Sequence, residues 1–181
     1  MTVTAKDTTG APGSASFTWT ISSSGGGGTC TSTANVVGNP NFASGSTDWT
    51  ASSGVIGQYA SDGQPPISPS KYDAWLDGYA EPHTDTLSQS VTVPSGCTGT
   101  LEVWLHIDSD QTSGTNGSFT VSVAGSTIAT FTNLNANSGY TEHSYTIPSS
   151  DSGKSIKLLF TGVENNDTNT DYVVGQVELL P

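Results

Sequence analysis

The sequence predicts an all-β fold, two antiparallel sheets packed face to face as a jelly-roll β-sandwich. Three observations lead there. Short runs of Val, Ile, Thr and aromatic residues recur between turns rich in Gly, Pro, Asn and Ser. Several of these runs alternate apolar and polar residues at a period of two, and none holds a helical period over a useful length. Hydrophobic residues make up only 33 % of the 181 residues, yet four Trp, six Tyr and five Phe are spread along the chain, which argues against disorder.

The elements follow in chain order. Residues 1–22 contain "TVTAKDTTGAPGSASFTWTIS", two alternating runs around a Gly/Pro turn, which reads as a β-hairpin. Residues 23–29 are a Gly/Ser linker by composition, and residues 30–181 form the main domain. In that domain "YDAWLD" opens a strand that places Trp75, Asp77 and Tyr79 on one face. "DTLSQSVTVP" is a strand ended by Pro94, whose ring removes a ladder donor. "TLEVWLHID" is the clearest strand: Leu101, Val103, Leu105 and Ile107 share one face, and Glu102, Trp104, His106 and Asp108 the other. "SFTVSVAG" and "STIATFTNL" are joined by a tight turn at Ala124-Gly125-Ser126. "SIKLLFTGV" puts Ile156, Leu158 and Phe160 on one face, and "DYVVGQVELL" closes the chain. That makes about eight to ten strands, the number a two-sheet sandwich uses.

The formal charge is −12, and none of the four basic residues is Arg. Bidentate guanidinium recognition of phosphate or carboxylate is therefore excluded. A nucleic acid backbone or an anionic membrane surface is repelled, and no apolar run is long enough to span a bilayer. Neutral polymers and cations remain as partners. Cys30 and Cys97 allow one bridge or two buried thiols. The Ser/Thr/Gly-rich composition points to a secreted, extracellular protein. The residues after Met1 are polar and read as no secretory leader, so export would make this chain a piece of a longer precursor.

Several segments together carry a resemblance. They are "CTSTANVVGNPNFASGSTDWTASSGVI", "YDAWLDGYAEPHTDTLSQSVTVPSGCT", "LEVWLHID", "SGYTEHSYTIP" and "IKLLFTGVENNDTNTDYVVGQVEL". In this order they resemble the C-terminal β-sandwich module of secreted bacterial peptidases of the sedolisin/kumamolisin type. That module is similar to galactose-binding-like and carbohydrate-binding jelly rolls. The hairpin resembles the last two strands of the immunoglobulin-like repeats of secreted actinobacterial enzymes, so it reads as a remnant of an Ig-like domain. The resemblance implies a Cys30–Cys97 disulfide, neighbouring domains in a longer chain and a non-catalytic accessory role. It also implies a structural calcium ion, held by an acid after an Asn-Pro-x-Phe motif and by acids in the last strand. Here those places hold Ala43, Gly175 and Gln176, so no cofactor is firmly expected.

No Gly-x-Ser-x-Gly elbow and no His-Glu-x-x-His pair occurs in the sequence. His83, His106 and His143 lack metal-ligand spacing, and the chain is not expected to be an enzyme. Asp108, Asp110, Glu164 and Asp167 are the calcium candidates, read as acids near loops. Trp75, Asp77, Tyr79, Trp104 and His106 are the carbohydrate-binding candidates. Sugars stack their C–H faces on aromatic rings while Asp and His bind hydroxyls. The expected function is a non-catalytic module of a secreted multidomain protein that binds neutral polysaccharide or a cell surface. The alternative is a structural spacer in which the tryptophans fill the core and nothing small binds.

Overall fold

Alternation at a period of two sends successive side chains to opposite faces, and this chain turns that pattern into two five-stranded sheets. The computed structural model describes residues 2–6, 12–16, 29–115, 117–165 and 168–181. β1 (Thr2–Lys6) and β2 (Pro12–Ser16) form an antiparallel hairpin. The turn between them and the predicted linker, apart from Thr29, lie outside the described residues.

The main domain contains β3 (Thr50–Ala51), β4 (Ile56–Gly57), β5 (Asp73–Asp77), β6 (His83–Thr92) and β7 (Gly99–Ser109). It continues with β8 (Gly117–Val123), β9 (Ser126–Phe131), β10 (Thr141–Ile147), β11 (Ser155–Glu164) and β12 (Thr170–Leu180). One sheet has the order β10-β7-β12-β5-β4 and the other β3-β6-β11-β8-β9, with every pairing antiparallel. Among the described residues helix is confined to three short 3-10 turns, Ala60–Asp62, Asn133–Asn135 and Ser149–Asp151. The predicted all-β sandwich is what the chain forms.

The core lies between the two sheets. β7 contributes Leu101, Val103, Leu105 and Ile107, each buried, while Glu102, Trp104 and His106 stay half-buried on the other face. β12 contributes Tyr172, Val174, Val177 and Leu179. That change of phase is caused by a bulge: the register shifts between Val174 and Gln176, so Gly175 is the extra residue. Across the gap stand Leu87 and Val91 of β6, Ile156, Leu158 and Phe160 of β11, and Phe119, Val121 and Val123 of β8. Phe119 stacks between Tyr172 and Phe160, with ring centroids at 5.5 and 6.1 Å.

Two local features fix the frame around the site. Ala124 and Gly125 both have positive φ, 50° and 84°, which closes the β8–β9 hairpin in a two-residue turn whose twist matches its strands. Cys30 and Cys97 are disulfide-bonded with Cα atoms 4.6 Å apart, tying the entry of the domain to the turn before β7.

Candidate functional site

The outer face of the β10-β7-β12-β5-β4 sheet carries most of the predicted binding residues. Paired residues in an antiparallel ladder share a face. Trp104 on β7 therefore lies beside Glu142 of β10 and Gln176 of β12. His106 lies in line with Val173 of β12 and Trp75 of β5. Tyr140, just before β10, meets His106 edge-on at 5.9 Å and donates its hydroxyl to Asp73 Oδ2 at 3.4 Å. It crosses the bulge to do so: a Cβ on Gly175 would stand 2.6 Å from the Tyr140 ring and 2.8 Å from Ile67. Only glycine leaves room for that crossing. Tyr140 and Ile67 together cover Gly175 at the bulge.

The two tryptophans differ in freedom. Trp104 and His106 are half-buried, with polar neighbours. Trp75 is also half-buried, but its indole N–H donates to Asp171 Oδ1 at 2.9 Å and Tyr59 packs edge-on against it at 5.1 Å. Tyr59 is itself anchored by its hydroxyl to the Gly54 carbonyl. Trp75 thus behaves as packing at the rim of the face.

Asp77 and Tyr79 depart from the expected shared face. Asp77 has φ 61°, and Gly78 and Ala80 follow at 85° and 53°. This left-handed turn swings the Asp77 side chain away from Trp75 and between the sheets, over Gly162 of β11. Asp77 is 3 % exposed, while Tyr79 is 46 % exposed and stacks on His83 with centroids 4.0 Å apart. The end of the sandwich thereby collects Asp77, Asp85, Glu164 and Asp171, all buried. Burial first, then the neighbouring Asp85, Glu164 and Asp171, pushes the Asp77 carboxyl up to about 8. Asp171 is pushed up to about 6, chiefly by burial. Of the calcium candidates, Glu164 ends β11 and faces inward, so it is a strand residue of the interior and no loop acid. Asp108 and Asp110 are exposed, and Asp167 lies outside the described residues. The calcium position that the resemblance implies does not fit an ion: Ala43 is exposed, Gly175 is covered and Gln176 donates to Glu178, so these three residues bring no carboxylate. The main chain there is held by Val177 N–H on the Pro40 carbonyl and the Trp49 indole on the Asn39 carbonyl.

Asp73, Asp85, Tyr59 and Tyr140 escaped the sequence reading. The signal for Asp85 was present: it falls in phase with Leu87 and Val91, which marks it as an inward acid. Asp73 is fully buried, and that burial raises its carboxyl to about 7 against the lowering effect of the Tyr140 hydrogen bond. A carboxyl raised in the folded state holds its proton more tightly there than in the unfolded chain. Its stabilising effect is complete below about pH 4 and is lost as pH rises through about 7. Asp73→Asn, which keeps an acceptor for Tyr140, is expected to raise stability by roughly 1–2 kcal/mol at pH 8 and to change little at pH 4. Melting at both pH values checks this; an equal shift at the two would contradict it.

A shallow open depression of about 460 Å³ lies elsewhere, along Ser46, Trp49 and the 50–56 turn. Its walls are mostly small side chains, and Trp49 is only 6 % exposed.

No family model matches the sequence, and no curated protein matches it. Solved structures do. The carbohydrate-binding module TmCBM61, solved in complex with β-1,4-galactotriose, is similar over 81 % of this chain and 97 % of its own, with 16 % identity and a TM-score of 0.57. A family 16 carbohydrate-binding module matches over 81 % of this chain and all of its own, with 15 % identity and a TM-score of 0.51. The K3 cleaved adhesin domain of Lys-gingipain from Porphyromonas gingivalis matches over 82 % of this chain and all of its own, with 13 % identity and a TM-score of 0.53. At such identities the likeness establishes the shared sandwich and leaves the ligand to be argued from the residues.

Proposed function

We propose that this chain is a non-catalytic carbohydrate-binding module of a secreted multidomain protein, with neutral polysaccharide or a cell-wall surface as its ligand. The observation that carries this reading is the Trp104 patch. An indole on an open sheet face is flanked by Gln176, Glu142 and His106, with Tyr140 closing one side. Ring faces accept the C–H side of a pyranose, and the polar neighbours accept and donate to hydroxyls. The charge selects the class of sugar: Glu142, Glu102 and Glu178 border the patch and the whole chain carries −12, so an anionic polymer is repelled. The solved modules of the same fold named for carbohydrate binding support the reading. The Cys30–Cys97 bridge suits an oxidising, extracellular setting, and among the described residues no helix is long and apolar enough to cross a membrane.

Trp104 and His106 form the binding centre in this proposal, with Tyr140 and Gln176 beside them. Trp75 supports the rim, Tyr79 stands apart at the end of the sandwich, and Asp77 faces the interior and takes no part in the surface. Depletion by insoluble cellulose, chitin, xylan, galactan and whole cell walls tests it. At least one should retain the chain, and Trp104→Ala should weaken retention about tenfold or more, equivalent to roughly 1.4 kcal/mol, with little change in melting temperature. The spacer reading has one observation in its favour, the anchoring of Trp75 by Asp171 and Tyr59. It expects no retention by any of these polymers, and that result would replace the binding reading.

A further inference from the structure

The register of three paired strands sets the surroundings of Trp104. On the outer face of its sheet, Trp104 lies between Glu142 of β10 and Gln176 of β12. One step along β7 on the same face, Glu102 lies between Ser144 of β10 and Glu178 of β12. The indole therefore has Glu142 across the ladder, Glu102 next along its own strand and Glu178 on the diagonal. Opposite residues in such a ladder stand about 5 Å apart at Cβ and diagonal ones about 7–8 Å, so a short oligosaccharide laid on the indole meets all three acids. Glu142 is exposed, and Glu102 and Glu178 are half-buried.

No cation serves these acids. The basic residues are Lys6, Lys71, Lys154 and Lys157, none of them on β7, β10 or β12. Among the described residues the ion pairs are His83–Asp85 and Lys154–Asp151, both away from this face. Gln176 donates to Glu178 at 2.7 Å and Ser144 to Glu142 at 3.2 Å, but these neutral donors orient a carboxylate without cancelling its charge. Burial first, then Glu142 and Glu178, raises the Glu102 carboxyl above its ordinary value, so the three acids feel one another with no opposite charge between them. Acidity alone marks no site on a chain that carries −12. The indole among these acids does, because a π face and a carboxylate attract the same kind of group, a cation.

We propose that the Trp104 face prefers a polysaccharide with free amino groups, a deacetylated amino-sugar polymer of the chitosan type, and that Glu102, Glu142 and Glu178 set this preference. The inference rests on the reading of Trp104 as the binding centre and extends it from neutral sugars to cationic ones. The pyranose lies on the indole through its C–H side, as a neutral sugar does. Its ammonium, or that of the next unit, then pairs with a carboxylate at the edge of the ring. An N-acetylated or plain glucose unit keeps the stacking and loses the ion pair, so it binds more weakly. One such pair at a surface contributes little, but a polymer brings an ammonium with every unit, and three acids can be met at once.

The full chain, titrated at about pH 6 with the hexamers of glucosamine, N-acetylglucosamine and glucose, tests the preference by calorimetry and tryptophan fluorescence; ordinary carboxylates are ionised there. The glucosamine hexamer should bind about tenfold more tightly than either neutral one, and added salt should shrink that advantage. Glu102→Gln/Glu142→Gln/Glu178→Gln should erase it and leave the neutral hexamers bound as before, and Glu142→Gln alone, at an exposed position, should reduce it in part. Asp48→Asn/Glu81→Gln/Asp110→Asn removes the same charge from exposed positions elsewhere and should keep the preference, which separates the site from general attraction to an acidic chain. Equal binding of the three hexamers, or a preference lost equally in both triple variants, overturns this inference and leaves the carbohydrate reading standing. No binding of any hexamer, together with no retention by any polymer, overturns both.

Discussion

Phe119→Ala is expected to lower stability by about 3–5 kcal/mol and the melting temperature by roughly 10 °C or more. Phe119 is fully buried on the inner face of β8. Its ring stacks on Tyr172 at 5.5 Å and on Phe160 at 6.1 Å, and meets Phe131 at 6.4 Å. It also pairs in register with Gly162, which has no side chain to move into a gap. The loss therefore combines transfer free energy with a cavity that its neighbours cannot close. Urea unfolding should show a lower midpoint with an unchanged slope, the mark of altered stability at constant exposed area. Phe119→Leu keeps most of the volume and should cost far less. A loss below about 1 kcal/mol for the alanine variant would mean that the two sheets do not meet around this ring.

The same inner face shows what the sequence made readable. β7 and β8 were legible because each alternates, so burial of Leu101, Val103, Leu105 and Ile107 follows from spacing alone, and β11 because Ile156, Leu158 and Phe160 share one face despite the Leu158-Leu159 run. The Ala124-Gly125 turn was legible because a short hairpin needs positive φ. β12 was legible as a strand but its faces were not. "YVVGQVELL" alternates cleanly only once Gly175 is removed from the count, and nothing local says that this glycine is a bulge. The short strands β3 and β4, two residues each, carry too little pattern to stand out.

The site was legible in part, for the same reason. Trp104 and His106 sit on a strictly alternating strand, so their shared outer face was readable. Trp75, Asp77 and Tyr79 alternate just as well in sequence, yet the strand stops at Asp77. The Asp-Gly pair at 77–78 is a turn signal, and it overrides the period-two pattern there. One misplaced residue then moves Asp77 from the set expected on the outer face to the interior acid group. Tyr140 and Asp73 were out of reach because their partnership spans 67 residues and depends on the bulge between them. The interior acids escaped for a related reason. Asp85 and Glu164 meet only after β6 and β11 pair, in a register that places Gly162 opposite Asp85.

Reduction of Cys30–Cys97 should cost about 4 kcal/mol by the loop-closure estimate for a separation of 67 residues. The constraint acts mainly on the unfolded chain, so the unfolding slope in urea should rise as the midpoint falls, because the reduced chain exposes more surface. A Cys30→Ser/Cys97→Ser variant should behave like the reduced protein and leaves no lone thiol to form dimers. Cys97 is 1 % exposed, so reduction in the folded state should be slow and should follow opening of the domain. The loop closed by the bridge holds β3, β4, β5 and β6, the strands that carry Asp77 and Asp85. β7, β10 and β12, which carry Trp104, His106 and Gln176, follow it in the chain. Below its new midpoint the reduced protein should therefore keep polysaccharide retention close to that of the oxidised protein. A midpoint that does not move on reduction would show that the bridge adds nothing the folded sheets do not already supply. Retention lost at temperatures where the reduced fold persists would place the binding residues inside the bridged loop instead.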